Sequence, residues 1–99
     1  MMIRDISVIP LPGKQAELVA AVKEVAAHLD EHQPVASPRT VTADLIDGRV
    51  HLLTQRDSLD AHEAASRESQ ADAEFQALSQ RIQALTVPGF WRWAYTRVC

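Results

Sequence analysis

Histidines and carboxylates end an amphipathic segment early in this chain, and their spacing is the first sign of chemistry. The run His28-Leu29-Asp30-Glu31-His32 matches H-x-x-E-H, the residue order of an inverted zinc-protease motif. Residues four apart on a helix share one face, so two imidazoles could reach one metal ion. That chemistry also needs a third ligand from a later helix, and histidine in a last helical turn suits the helix dipole on its own. A chance arrangement is therefore the favoured interpretation, and the sequence predicts no metal site.

Two further histidine positions are set by the periodicity of their apolar neighbours. His32 extends a helical stripe that consists of Leu18, Val22, Val25 and Leu29. It is therefore a candidate base at a pocket rim, the alternative being a half-buried histidine bonded to a loop carbonyl. His51 shares a strand face with Leu53, so part of its ring should be buried and could contact a ligand. Alternation alone leaves open which side of the sheet this face is.

Residues on the predicted strands, or directly after one, supply further candidates for ligand binding. Three aromatic residues of the last predicted strand alternate onto one face: Trp91, Trp93 and Tyr95. They could line a pocket for a flat aromatic ligand, although aromatic strands more often pack as core or interface. Arg56 follows the third predicted strand and could steady an anionic oxygen, a solvated arginine being the alternative. Asp5 interrupts an apolar strand and is expected to pair with Arg92 or Arg97, or else to serve as a base.

The elements that must position these residues follow from the order of the apolar patterns. Alternating residues predict four strands, over 3–11, 39–47, 49–55 and 90–98. A helical stripe predicts a first helix from about Lys14 to His32, because Pro34 disfavours helix at the residue before it. The stretch 34–38 is then a short loop. Asp47-Gly48 predicts a tight hairpin with positive φ angles.

The second helical region is predicted to contain a break. Either Asp57 or Ser58 caps its start. Its early apolar side consists of Leu59, His62 and Ala65, and its late stripe of Phe75, Leu78, Ile82 and Leu85. The two lie roughly 120° apart on a helix, so a bend is expected between Arg67 and Ala73. The whole order, β-α-β-β-α-β, indicates a ferredoxin-like α+β fold: a four-stranded antiparallel sheet with helices on one face. In this topology the first strand lies between the third and fourth.

Length and composition exclude several classes of function. The 99 residues support one domain, 1–99. A net charge of -3 argues against nucleic-acid binding, which requires clustered cations. No apolar stretch is long enough to predict a membrane span. The only cysteine, Cys99, leaves no internal disulfide and fits a reducing cytoplasm.

A homodimer is predicted from the apolar residues on both faces of the strands. The strand over 90–98 puts its aromatic trio on one face and Phe90, Ala94 and Val98 on the other. Helices can cover only one face of such a sheet, so a monomer would leave apolar area in water. Sheet-to-sheet packing of two copies is the simplest solution, although scattered surface apolar residues are normal.

Two stretches of the sequence resemble the dimeric α+β barrel superfamily, and the resemblance covers nearly the whole chain. MIRDISVIPLPGKQAELVAAV resembles the strand, Pro-Gly turn and helix that open these proteins. DSLDAHEAASRESQADAEFQALSQRIQAL resembles their second helical region, with a Leu-x-x-His step and a Phe-x-x-Leu segment. Within the superfamily the chain is most similar to the antibiotic-biosynthesis-monooxygenase group, with stress-responsive barrel proteins next.

This resemblance implies a small-molecule pocket between sheet and helices. In some members it implies cofactor-independent oxygenation of phenols or enols, for which the candidate bases are His62, at the Leu-x-x-His step, and His32. The alternative for His62 is a side chain that packs on the partner chain or faces water. The stretch 54–57 lacks the Trp that many oxygenase-type members carry there, and the first strand lacks the Asn of haem-degrading members. The two hypotheses are therefore a cofactor-free monooxygenase for an aromatic or polyketide-like molecule, and a non-catalytic stress-responsive or ligand-binding barrel. Neither requires a cofactor.

Overall fold

The computed structural model describes residues 1–32 and 38–98. The loop predicted over 34–38 lies almost wholly outside the described residues, and so does Cys99. The elements follow the predicted order, with the second helical region divided in two. They are β1 (Met2–Val8), α1 (Gln15–His32), β2 (Arg39–Ala43), β3 (Val50–Arg56), α2 (Leu59–Gln70), α3 (Ala73–Ala84) and β4 (Arg92–Arg97).

The four strands form one antiparallel sheet in the order β2-β3-β1-β4, which confirms the predicted position of β1 in the centre. The helices pack mainly over β2 and β3, and α1 also packs against α3. All six residues of β4 are exposed, so this edge strand has little helical cover. The fold is thus the predicted ferredoxin-like α+β arrangement.

The core lies between α1 and the central strands. Its buried apolar residues are Val8, Leu18, Ala21, Val22, Val25, Leu29, Val50, Leu52 and Ile82. The helical stripe predicted for the first helix supplies four of them, and the late stripe of the second helical region supplies Ile82 together with partly buried Phe75, Leu78 and Leu85. The 3.6-residue period therefore identified the buried faces of α1 and α3 correctly.

The break between α2 and α3 lies where the two stripes predicted it. α2 ends at Gln70, and Asp72 caps α3 by accepting hydrogen bonds from the backbone N–H groups of Glu74 and Phe75. Ser58 caps the start of α2 through its hydroxyl, which accepts from the Ala61 N–H at 3.2 Å. A straight helix would have turned one of the two apolar stripes away from the sheet.

The connection between β2 and β3 is longer than the predicted two-residue turn. The Asp44 carboxylate accepts from the N–H groups of Ile46 and Asp47 at 2.7 and 3.2 Å, which ends β2 at Ala43. Only Gly48 of the predicted Asp47-Gly48 pair has a positive φ, at 73°. The prediction of a tight turn was wrong because this local side-chain capture competes with the ladder.

No helix within the described residues is long and apolar enough to cross a bilayer.

Candidate functional site

An apolar cavity of about 110 Å³ lies between the sheet and helices α1 and α3. It is lined by Arg4, Ile6, Val8, Val22, Val25, Leu29, Val50, Leu52, Phe75, Ser79, Ile82 and Trp91. Among these lining residues Arg4 alone is charged. Because side chains alternate along a strand, the helix-facing side of β1 is the one that carries Arg4, Ile6 and Val8.

Arg4 belongs to a polar row that crosses all four strands. The sheet register places Arg39, Thr54, Arg4 and Tyr95 opposite one another on β2, β3, β1 and β4. Arg56 lies two residues beyond Thr54 on the same face of β3, and it is buried. Three arginines thus approach one another on the helix-facing side of the sheet, next to the apolar cavity. We call Arg4, Arg39, Thr54, Arg56, His62 and Tyr95 the polar cluster.

The Arg4 guanidinium has no compensating carboxylate among the described residues. None of the ion pairs found in that part of the chain involves Arg4, and its Nε atom is buried without a hydrogen-bond partner. Burial, reinforced by the positive charges of Arg56 and Arg39 against an opposing effect of Tyr95, lowers the pKa of Arg4 to about 10. The side chain remains a cation at neutral pH, in a position that favours an anion beside it.

Thr54 adds an unsatisfied hydroxyl to the same row. Its side chain is fully buried, and Oγ1 has no hydrogen-bond partner among the described residues. Buried hydroxyls are almost always paired, so an unpaired one next to Arg4 is a position where a ligand oxygen would fit. The sequence prediction missed both residues. For Arg4 the sequence did contain a signal: the alternation of side chains along the first strand puts Arg4 on the same face as Ile6 and Val8.

His62 reaches the polar cluster from the first turn of α2. The Ser58 cap fixes the start of this helix, and the His62 imidazole, only 6% exposed, points to the sheet. Its Nε2 lies 3.4 Å from the hydroxyl oxygens of both Tyr95 and Ser66, and its Nδ1 is buried without a partner among the described residues. Burial, followed by the charges of Arg4 and Arg56, lowers the pKa of His62 below its usual 6.5. The ring is therefore neutral at pH 7 and can accept a proton.

The predicted aromatic trio lies on the helix-facing side of the sheet. Trp91 packs against the core, and its Nε1 donates to Thr86 Oγ1 at 3.3 Å. The rings of Trp91 and Trp93 are 5.6 Å apart, and Tyr95 contacts His62. Trp93 and Tyr95 are 52% and 51% exposed because the helices leave β4 uncovered. Trp91 therefore lines the cavity, and Tyr95 belongs to the polar cluster. None of the three forms part of the helix-free sheet face.

Two predicted site histidines lie away from the cavity. His51 lies on the opposite, helix-free face of the sheet, where its Nδ1 is 2.9 Å from the Asp5 carboxylate. Asp5 thus pairs with a histidine on β3, and the predicted partner Arg92 or Arg97 on β4 is wrong. His32, predicted at the pocket rim, is exposed and hydrogen-bonds the His28 carbonyl oxygen at 2.8 Å. The apolar stripe ends at Leu29, because α1 runs past the edge of the core.

Comparison with known proteins identifies the fold. No family model matches the sequence, and no curated protein matches it. Solved structures do match over the whole chain. A NIPSNAP domain protein from Burkholderia xenovorans has a TM-score of 0.82 at 13% identity, covering 100% of this chain and 95% of that one. A NIPSNAP family protein from Agrobacterium tumefaciens has a TM-score of 0.80 at 15% identity, covering 99% and 85%.

A third structure, of an antibiotic biosynthesis monooxygenase, has a TM-score of 0.76 at 13% identity and covers 100% of this chain and 99% of that one. Identities this low establish the fold and leave activity open. The structural neighbours are NIPSNAP-type and antibiotic-biosynthesis-monooxygenase-type proteins, so the resemblance to dimeric α+β barrels drawn from the sequence is confirmed at the level of the fold.

Proposed function

We propose that this protein binds a small aromatic or polyketide-like molecule that carries an acidic phenol or enol oxygen. The observation that carries the proposal is Arg4, which lines an apolar cavity. This side chain is partly buried, its Nε is fully buried, and it forms no ion pair in the described residues. The apolar walls suit a flat carbon skeleton, and the polar cluster suits its oxygen. One solved structure of the same fold is described as an antibiotic biosynthesis monooxygenase, which supports a small organic molecule as the ligand.

We propose further that the pocket supports cofactor-independent monooxygenation. His62, neutral at pH 7, takes the acidic proton of the substrate, and Arg4 and Arg56 stabilise the anion that forms. The electron-rich anion transfers an electron to O₂. One oxygen atom is incorporated as a carbonyl, and the other leaves as water. The two hydrogens of that water are the acidic O–H proton taken by His62 and the one hydrogen lost by the carbon that is oxygenated. The substrate itself thus supplies all the electrons.

Oxygen uptake with hydroxynaphthoquinols tests this activity. The wild-type protein is expected to accelerate oxygen consumption, and His62→Ala should abolish the acceleration. His51→Ala serves as the matched control, since its imidazole lies on the helix-free face. Uptake that is unchanged by His62→Ala would contradict the enzymatic proposal.

A non-catalytic ligand-binding barrel is the second candidate function. The observation that favours it is the stretch 54–57 at the end of β3, which lacks the Trp that many oxygenase-type members of the dimeric α+β barrel superfamily carry there. Tight binding of 1-hydroxy-2-naphthoate without oxygen uptake from any of the quinols would select this function. In both cases the ligand would occupy the same cavity.

We also propose that the 99-residue domain assembles as a homodimer through its helix-free sheet face. Ile3 and Leu53 lie on that face and are partly exposed, and Ala94 beside them is exposed. The aromatic trio no longer supports this interface, because it lies on the other side of the sheet. The support that remains is the open sheet face itself, which a second copy could cover symmetrically.

A further inference from the structure

Four side chains meet where the end of α1 packs against the start of α3. His28 and His32 lie one turn apart on α1, Asp72 is the N-cap residue of α3, and Glu74 lies in the first turn of α3. His28 is buried, whereas the other members of this group are at least partly open to solvent. We call this group the α1–α3 cluster. It is separate from the polar cluster, and the proposed function leaves it unused.

The hydrogen bonds of His28 fix its tautomer. Its Nε2 lies 2.6 Å from Oδ2 of Asp72, and the carboxylate can only accept, so Nε2 carries a proton. This hydrogen bond is the leading cause of the lowered pKa of Asp72, followed by the N–H of Phe75. Nδ1 of a neutral His28 ring is then left with a lone pair. A carboxylate that orients an imidazole in this way is the usual outer partner of a metal-binding histidine.

Glu74 faces that lone pair at a separation typical of two metal ligands. Its Oε2 lies 3.6 Å from Nδ1 of His28, which is too long for a hydrogen bond. Two ligands on one tetrahedral metal, with bonds of about 2.0–2.1 Å, lie roughly 3.3 Å apart. A small movement of the Glu74 side chain, which is 69% exposed, would close the difference.

His32 supplies a second imidazole close to that of His28. Its Nδ1 lies 2.8 Å from the carbonyl oxygen of His28, and a carbonyl only accepts, so Nδ1 carries the proton and Nε2 is free to bind. The two imidazoles stack with ring centroids 4.1 Å apart. One ligand atom from each of His28, His32 and Glu74 can be chosen such that all three lie within 4.8 Å of one another.

We propose that His28, His32 and Glu74 bind one divalent transition-metal ion of the Zn²⁺ class, with Asp72 orienting His28. Two imidazole nitrogens and one carboxylate oxygen are ligands that Zn²⁺ prefers, and solvent can complete the coordination from the exposed side. The carboxylates of Glu74 and Asp72 together carry two negative charges, which balance the charge of the ion. Glu31, the acidic residue of the H-x-x-E-H run, does not belong to the ligand set, so the site binds a metal without a protease arrangement.

Metal binding would link α1 to α3 and thereby stabilise the fold, because the ion binds the folded chain in preference to the unfolded one. The alternative is that the α1–α3 cluster is a metal-free hydrogen-bonded contact between two helices. The two interpretations differ in whether His32 matters, since that exposed side chain contributes nothing to the contact with Asp72.

The test is calorimetric titration of ZnCl₂ into the full chain, produced without a histidine tag and treated with a chelator. We expect one Zn²⁺ per chain, a melting temperature that rises with Zn²⁺ concentration, and a visible ligand-field spectrum when Co²⁺ replaces Zn²⁺. His32→Ala should abolish all three signals while the protein stays folded. Asp72→Asn should weaken binding by roughly 10- to 100-fold, as loss of an outer partner does.

His51→Ala and Glu68→Gln are the matched controls, because each removes an imidazole or a carboxylate outside the α1–α3 cluster. Both should bind Zn²⁺ like the wild type. Absence of saturable binding by the wild type, or equal binding by the wild type and His32→Ala, would overturn the proposal. Neither result depends on ligand binding in the cavity, so this test is independent of the proposed function.

Discussion

The positive charge of Arg4 lowers the stability of the fold but suits the proposed anionic ligand. A guanidinium on the inner side of a central strand loses hydration, and the neighbouring charges of Arg56 and Arg39 make its position less favourable still. Nothing in the core requires a cation there, since Ile6 and Val8 continue the same face with apolar side chains. A residue that is unfavourable for the fold and borders a cavity is the expected position of a functional side chain, which supports the proposed role of Arg4 in ligand binding.

Arg4→Met should therefore stabilise the protein and impair binding. The free energy of unfolding is expected to rise, because an apolar side chain of similar length replaces a poorly compensated cation. Affinity for 1-hydroxy-2-naphthoate should fall by 10- to 150-fold, corresponding to about 1.5–3 kcal/mol for a charged hydrogen bond. Urea unfolding and calorimetry measure the two effects.

Arg67→Met, on the exposed side of α2, controls for the loss of one positive charge and should change neither quantity appreciably. A destabilised Arg4→Met variant with unchanged affinity would show that Arg4 serves the fold and not a ligand.

The isosteric substitution Thr54→Val tests whether the hydroxyl beside Arg4 contributes to ligand binding. Removing a buried hydroxyl that has no partner among the described residues should leave stability unchanged or raise it. Affinity for 1-hydroxy-2-naphthoate should fall by about 2- to 13-fold, equivalent to a neutral hydrogen bond of about 0.5–1.5 kcal/mol. Thr42→Val on the helix-free side of β2 is the control, and a lower stability of Thr54→Val with intact binding would refute the assignment.

The titration of His62 gives a pH dependence whose direction follows from its environment. Its pKa is lowered in the folded state, so protonation favours the unfolded chain. Stability from this group is fully present above about pH 6.5 and is lost as the pH falls towards the lower folded pKa. Oxygen uptake should likewise stay constant from pH 8 down to 6.5 and decrease only below that.

NMR titration of the imidazole protons measures this pKa directly. A His62 midpoint at or above 6.5 in the ligand-free protein would contradict the described burial beside two arginines.

At the scale of elements, helix α2 positions His62 over the sheet. Its apolar content is low, so capping contributes much of its order. Ser58→Ala should lower the free energy of unfolding by about 1 kcal/mol and speed hydrogen exchange in the first turn of α2. Ser58→Asp should retain both properties, because a carboxylate accepts from the same N–H group. Equal behaviour of the Ala and Asp variants would indicate that Ser58 does not cap the helix.

The elements were predictable from the sequence because each depends on local periodicity. The stripes of α1 and α3, the break before Asp72 and the central place of β1 all follow from residue spacing and topology. The end of β2 did not follow, because the Asp44 carboxylate captures two N–H groups in a way that no apolar pattern encodes.

The candidate site was less predictable because it depends on which residues meet across the sheet. His62, Arg56 and Tyr95 were singled out one by one, yet their contact follows from the strand register and the angle of α2. Arg4 and Thr54 were missed, since each looks like an ordinary strand residue until its neighbours are known. The pairing of His51 with Asp5 was likewise hidden, because alternation fixes a face but not which layer covers it.

At the scale of the whole molecule, the open face of the sheet determines the proposed assembly. Leu53→Arg would place a charge at the centre of that face, in the row with Asp5 and Thr40. Light scattering at micromolar concentration should give the mass of two subunits for the wild type and of one for this variant. Leu59→Arg, on the helical layer, should remain a dimer. A wild-type protein that is folded and has the mass of one subunit would exclude the assembly.

A crystal structure of the protein with bound 1-hydroxy-2-naphthoate tests the central claim most directly. The account predicts that the rings lie between α1, α3 and the sheet, with an acidic oxygen within about 2.7–3.2 Å of the Arg4 guanidinium and within reach of His62. A ligand bound on the helix-free face, or one in the cavity with its oxygens turned away from Arg4, would contradict it.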